Sequence, residues 1–213
     1  MKRYNQPMHP EVLPEGWASV AVELDELGLL NDAYLAGGTG LALRFGHRVS
    51  IDLDLMLPVP FSSEDVRDRL QGRPGLRHLE LAPHTLHAEM RGITISFLHY
   101  RYPLLFPTDP LGGLQVADAR DIACMMAAAI SDRGGRRDFV DLYVAGQTFG
   151  LAQILDWFDR KYSGVSYSRT HLLKALTHFG DAEDEPLPAL LIPLNWSDVR
   201  RYFETEAPTL LRL

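Results

Sequence analysis

Hydrophobic positions between Trp17 and Leu30 recur at intervals of three and four (Trp17, Val20, Ala21, Leu24, Leu27, Leu30), the spacing of one buried helical stripe, with Gly28 weakening the helix near its end. The pattern then changes period. "DAYLAGG" predicts a short strand stopped by its glycines. "TGLALRFG" predicts a compact helix with Thr39 at its N-cap and Gly46 at its C-terminal side, and "VSIDLDLML" a strand halted by Pro58 and Pro60. "SSEDVRDRL" opens a helix that Ser62 or Ser63 caps, with acidic residues in its first turn. "LRHLELA", "TLHAEM" and "ITISFLHY" read as strands, the last two joined by a turn at Arg91–Gly92. "YPLLFPTDPLGGL" is rich in proline and glycine and reads as loop.

From Ala117 the pattern is helical. "DARDIACMMAAAISDRG" with Asp118 as its cap, "RRDFVDLYVAGQTF", "LAQILDWFDRKY", "SRTHLLKALTHF" and "WSDVRRYFETEAPTLLRL" each predict a helix. There is no internal repeat and no low-complexity tract. The expected fold is α+β: a small mixed β-sheet core with flanking helices over residues 15–115, then a C-terminal helical bundle over residues 116–213. The opening "MKRYNQPMHPEVLPEG" carries three prolines and reads as a coil leading into the fold.

Composition changes this picture little. A hydrophobic content of 46% and a charged content of 23% are ordinary for a folded domain. The longest apolar run, Ile122–Ile130, is far shorter than the ~18 residues that span a bilayer, so no membrane role is expected. The N-terminus has no apolar segment behind its positive charges and does not read as a signal peptide. The lone Cys124 lies in the apolar run, where packing is its expected role, and a reducing cytoplasm is the expected compartment. A net charge of −7 argues against broad electrostatic binding of nucleic acid. It permits a local basic track: Arg67, Arg69, Arg73 and Arg77 cluster in one segment and Arg133, Arg136 and Arg137 in another, solvated faces unless they flank a site for an anionic polymer. His78, His84, His87 and His99 are near one another in sequence, but their spacing matches no compact zinc-ligand pair. "DAEDEP" (Asp181–Pro186) reads as a solvated acidic loop, or as carboxylates that order a neighbouring loop or repel RNA.

The candidate chemistry lies in "YLAGGTGLALRFGHRVSIDLDLM", Tyr34 to Met56. Gly37 and Gly38, without Cβ atoms, let a ligand approach the backbone at a helix N-terminus, where unpaired N–H groups and the helix dipole favour an anion; the Thr39 hydroxyl adds one hydrogen bond. Alone, such a stretch serves equally well as a tight turn. Asp52 and Asp54 project from one face of a strand, ~7 Å apart, while Ile51, Leu53 and Leu55 point to the other and into the core. Adjacent carboxylates raise one another's pKa, and a divalent cation such as Mg²⁺ removes the repulsion. An isolated D-x-D is also a common solvated edge. The combination with a glycine turn one short helix earlier is far less common.

The glycine–threonine turn, the twelve residues from Gly40 to Ile51, and "DLDL" resemble the signature of polymerase-β-like nucleotidyltransferases. The fuller stretch, with "DRGGRRDFVDLYVA" and "HLLKALTHFGDAEDEP", resembles the abortive-infection toxin nucleotidyltransferases of the AbiEii/AbiGii type, over roughly residues 15–205. The resemblance implies that Gly37, Gly38 and Thr39 cradle the phosphates of an NTP and that Asp52 and Asp54 hold one or two Mg²⁺ ions. Arg48 and Ser50 match the family's "HRxSxDxD" pattern; Arg48 steadies a phosphate or the strand's carboxylates, or makes only a surface salt bridge. Asp138 and Asp141 share a helix face, as site acids by the resemblance or as ion-pair partners of Arg136 or Arg137. The implied reaction moves a nucleoside monophosphate to an acceptor hydroxyl, that of RNA at the tRNA 3′ end, by a toxin with a cognate antitoxin. Two departures stand against it. Ser96 occupies the position of a third carboxylate, leaving Asp138, Asp141 or Glu89 to substitute. Met126 aligns with a family lysine, which Arg133 or Arg48 would have to replace. Hence the rival expectations: a degenerate nucleotide- or partner-binding relative, or a transferase acting on a small hydroxyl compound or a protein side chain.

Overall fold

The computed structural model describes residues 7–212; the first six residues of the predicted N-terminal coil and the last residue of the predicted final helix lie outside them. After a 3-10 turn at Pro10–Val12, helix α1 (Trp17–Glu26) forms on the predicted stripe and ends two residues before Gly28. Strand β1 (Tyr34–Leu35), helix α2 (Gly37–Phe45) and strand β2 (Asp52–Leu57) follow. Thr39 is not the N-cap of α2: that position is Ala36, and Thr39 lies within the first turn. Helix α3 (Ser63–Leu70) is capped by Ser62, whose hydroxyl accepts from the Asp65 amide.

Strands β3 (Leu76–Ala82), β4 (Thr85–Met90) and β5 (Ile93–His99) occupy the predicted segments, and β3 is interrupted by a register shift between Arg77 and Leu79. The proline-rich stretch is not all loop. It contains a hairpin of β6 (Asp109–Leu111) and β7 (Leu114–Val116), turned by Gly112 and Gly113, both at positive φ, the backbone of a tight two-residue hairpin turn. Buried Arg44 of α2 anchors it, donating to the Val116 and Ala117 carbonyls at 2.9 Å and to Asp109 at 2.8 Å.

The seven strands form one mixed sheet in the order β3-β4-β5-β2-β1-β7-β6, with β2 parallel to β5 and β1 parallel to β7. Alternation along β2 decides its faces. Leu53 and Leu55 join Leu24, Val66, Leu70, Leu86, Ile95 and Phe97 in a core beneath α1 and α3. Ile51 does not join them: it precedes the strand and is 53% exposed. On the other face, Tyr34, Ala36 and Met56 pack into a core shared with helices α4 (Ala119–Asp132), α5 (Arg136–Phe149), α6 (Leu151–Lys161), α7 (Arg169–Ala175), α8 (Gly180–Glu183) and α9 (Trp196–Thr209). Asp118 caps α4, accepting from the Arg120 amide. Asp52 and Asp54 alternate with Leu53 and Leu55 along β2 and so lie on this second face, half-buried.

Candidate active site

A cavity of about 440 Å³ opens between the start of β2, the N-terminus of α5 and the C-terminal end of α4. Its lining combines Gly38, Thr39, Arg48, Ser50, Asp52 and Asp54 with Asp138 and Asp141, residues far apart in the chain. Of the three residues expected to cradle phosphate, Gly37 stands just behind the wall. Its φ of 61° lies in the left-handed region, and a Cβ there would overlap the Asp54 carboxylate. A Cβ on Gly38 would overlap the Arg48 guanidinium and lie 2.8 Å from Asp141 Oδ2. The two glycines therefore make room first for the site's own charged side chains.

Those side chains form two different sets. Asp141 is fully buried on α5 and accepts from Arg48 Nε at 2.7 Å, from Arg48 Nη2 at 2.9 Å and from His47 Nε2 at 2.7 Å. Burial by itself would raise the Asp141 carboxyl, but Arg48 and His47 outweigh it and hold it below the usual carboxylate range. Asp138 is gripped likewise by Arg133, at 2.7 and 2.8 Å. So the ion partners of the two acids are Arg48 and Arg133, not Arg136 or Arg137. Arg136 turns away, donating to the Ala182 and Glu183 carbonyls.

Asp52 and Asp54 have no such fork. The nearest cation to Asp52 is the largely exposed Arg137, 3.8 Å away. Burial, then the neighbouring Asp52, push the Asp54 carboxyl above its ordinary value; a Ser96 hydrogen bond and the charges of Arg133 and His87 offset only part of this. A pair of half-buried carboxylates in this state has the donor chemistry of a hard divalent-cation site. Parallel pairing of β2 with β5 sets Thr94 beside Asp52 and Ser96 beside Asp54. The position beside the paired aspartates is thus held by a hydroxyl, and Glu89 lies one strand further out, opposite Thr94. Among the described residues no group of three or more His, Cys, Asp or Glu side chains is placed to hold a metal ion.

A relay of hydroxyls fixes the strand. The single proton of Thr39 Oγ1 goes to the Asp52 carbonyl, so Ser50 must donate in the 2.5 Å bond between the two hydroxyls. Arg48 Nη1 in turn donates to Ser50 Oγ at 3.3 Å. The Thr39 hydroxyl, expected to meet a ligand, is turned onto the protein's own backbone.

The sequence missed Thr94, Gly135 and Glu185 as lining residues. Thr94 was findable, because it shares the period-two face of Ser96. Glu185 sits in the acidic "DAEDEP" run, and its carboxylate accepts the Arg136 amide at 2.8 Å, so part of that run orders the entry to α5. Met126 is corrected in the opposite direction. It is 4% exposed in the apolar core and does not line the cavity, whereas Arg133, at the C-cap of the same helix, does. Arg67 and Arg69 ride on α3, on the sheet face away from the paired aspartates. No described helix is long and apolar enough to cross a membrane.

Comparison with known proteins places this geometry. A family model described as nucleotidyl transferase AbiEii toxin, type IV TA system, matches residues 21–73, the span of α1, β1, α2, β2 and α3 that contains both the glycine turn and the paired aspartates. A protein of Aquifex aeolicus strain VF5, uncharacterized protein aq_aa25, is 36% identical over 184 residues, covering 84% of this chain and 87% of the relative. Two solved structures share the fold. The nucleotidyltransferase toxin MenT4 (Rv2826c) of Mycobacterium tuberculosis H37Rv superposes with a TM-score of 0.53 at 17% identity, over 94% of this chain and 86% of that one. The antibiotic-resistance factor ANT(2'')-Ia does so with a TM-score of 0.50 at 12% identity, over 70% and 92%. The chain belongs to the AbiEii family of nucleotidyltransferase toxins.

Proposed function

We propose that this nucleotidyltransferase moves a nucleoside monophosphate from an NTP to an acceptor hydroxyl, that it depends on Mg²⁺, and that the acceptor is the 3′ end of a tRNA. In this reading it acts in the cytoplasm as the toxin of a pair whose antitoxin is a second protein. The observation that carries the proposal is the contrast in charge within one cavity: Asp138 and Asp141 each have an arginine fork, while Asp52 and Asp54 have none. Asp52 and Asp54 would hold the cation, whose chemistry is to neutralise charge on the phosphates. Gly37, Gly38 and the first turn of α2 present backbone N–H groups to an anion. Arg137, exposed at the mouth, meets phosphate oxygens. Asp138 and Asp141 act through the arginines they hold, and Thr39, Ser50 and Arg48 keep the Asp52 backbone in place. Arg133 and Arg137 mark the start of the RNA path.

The test is a labelling assay with each of four α-³²P NTPs, Mg²⁺ and total bacterial RNA. Label on a tRNA band is expected, with a loss of at least ~10²-fold in the Asp52→Ala/Asp54→Ala double variant, the scale of removing groups that stabilise transition-state charge. Ser96 beside Asp54 favours a second reading, binding without transfer. Thermal stabilisation by Mg²⁺ and NTP with no label on any acceptor would select it.

A further inference from the structure

The sheet carries a row of side chains that ends at Asp54 and whose outer members the reading above leaves unused. In register, Glu80 on β3 faces His87 on β4, His87 faces Ser96 on β5, and Ser96 faces Asp54 on β2. Strand alternation puts the row on the cavity side, because the intervening Leu86, Ala88, Ile95 and Phe97 are buried in the opposite core. Ser96 is buried and lines the cavity, whereas His87 is exposed. His87 Nδ1 lies 3.0 Å from Ser96 Oγ, and the register sets Ser96 beside Asp54. A serine has one proton to give; in the reading above Asp54 is engaged with the cation, which leaves His87, the exposed neighbour, to take it.

Resting on the transferase reading, we propose that Ser96 and His87 form the path by which the acceptor hydroxyl's proton leaves the site. Ser96 touches the acceptor; His87 acts through Ser96 and is a positioning residue that takes up the proton. In the step, the acceptor oxygen forms a bond to the α-phosphorus, the bond from that phosphorus to the bridging oxygen breaks, and pyrophosphate leaves with the bonding pair. The acceptor proton passes to Ser96 Oγ as the serine's own proton passes to His87 Nδ1. The imidazolium then releases its Nε2 proton to water. The charged groups around His87 are Glu80 on β3, Asp54 on β2 beyond Ser96, and Glu89 two residues along β4 with its register partner Arg77; α3 packs on the opposite face. The positive charge gained in the step therefore faces three carboxylates, which attract it.

The experiment compares the full chain with His87→Gln, His87→Ala and Ser96→Ala in the labelling assay across pH, with thermal shift by Mg²⁺ and NTP read in parallel. All variants should fold and keep the nucleotide-induced shift, since His87 is exposed and Ser96→Ala removes one hydroxyl. The transfer rate should fall by ~10²–10⁴-fold, the range for lost general acid–base catalysis. His87→Gln should abolish the acid limb of the kcat profile, and free imidazole should restore part of the rate to His87→Ala but none to Ser96→Ala. A His87→Gln rate and acid limb equal to those of the unaltered chain would overturn the relay and leave the transferase intact. If the unaltered chain neither labels an acceptor nor is stabilised by nucleotide, the transferase reading itself fails and the relay with it.

Discussion

Asp121 on α4 and Asp141 on α5 are both buried to within 1% of full enclosure, and each meets a buried cation, yet their networks run to different ends. Asp121 accepts from Lys161 Nζ at 2.7 Å and from the Leu105 and Phe106 amides, and Lys161 also donates to the Pro103 carbonyl. That network closes on itself, tying the 103–106 segment to α4 and α6. Asp141 is held by Arg48, whose fork has donors to spare, and the chain continues through Ser50 and Thr39 to the backbone of Asp52. A lysine is a point charge; an arginine can branch. The difference shows how one kind of buried pair serves as an anchor in one place and as a scaffold for chemistry in another. It also leaves a mark: His47 meets Asp141 through Nε2, and its other ring nitrogen, Nδ1, is buried with no hydrogen-bond partner.

Lys161→Met should give the largest effect on the fold, ~3–5 kcal/mol of unfolding free energy in urea, because it strands Asp121 as an unpaired buried charge. Nucleotide affinity of the folded fraction should stay unchanged; a parallel loss of binding would show that the two networks are not separable. Asp141→Asn keeps a hydrogen-bond acceptor but removes the charge, so a smaller stability loss of ~1–3 kcal/mol is expected together with a transfer rate down by roughly 10²-fold. The same substitution has a pH signature. The folded-state pKa of Asp141 is depressed, so its contribution is complete above the ordinary carboxylate value of ~3.9 and is lost as pH falls through the lower folded value. Acid titration of stability should therefore be shallower in Asp141→Asn. Ser50→Ala should cost least, ~1 kcal/mol by chemical denaturation, with a drop in transfer rate if the hydroxyl relay positions Asp52.

The features legible in the sequence are those set by local periodicity and local caps. The D-x-D face, the Ser62 and Asp118 caps, and the turn at Arg91–Gly92, where both residues adopt positive φ, need only near neighbours to be inferred. What escaped depends on partners far along the chain. The β6–β7 hairpin reads as loop because its pairing is secured by Arg44, 65 residues before Asp109. Thr39 looked like a cap because threonine is a good one, but its hydroxyl is taken by a strand 13 residues on. Asp141 and Arg48 are 93 residues apart, so their mutual grip has no local trace. Met126 aligned with a lysine by resemblance, and only packing reveals that the position faces the core.

The order of the strands has one more result, for the company the molecule keeps. An open sheet ends in two rows of unpaired backbone groups, each a template for another chain. Here one outer row belongs to β6, where Pro110 contributes no amide. The other belongs to β3, which is broken by the shift at Arg77–Leu79, carries His78 in the left-handed region, and points the charges of Arg77 and Glu80 outward. Both rims are poor templates for edge-to-edge pairing, so the broad sheet that supports the cavity offers another chain's strand little to pair with.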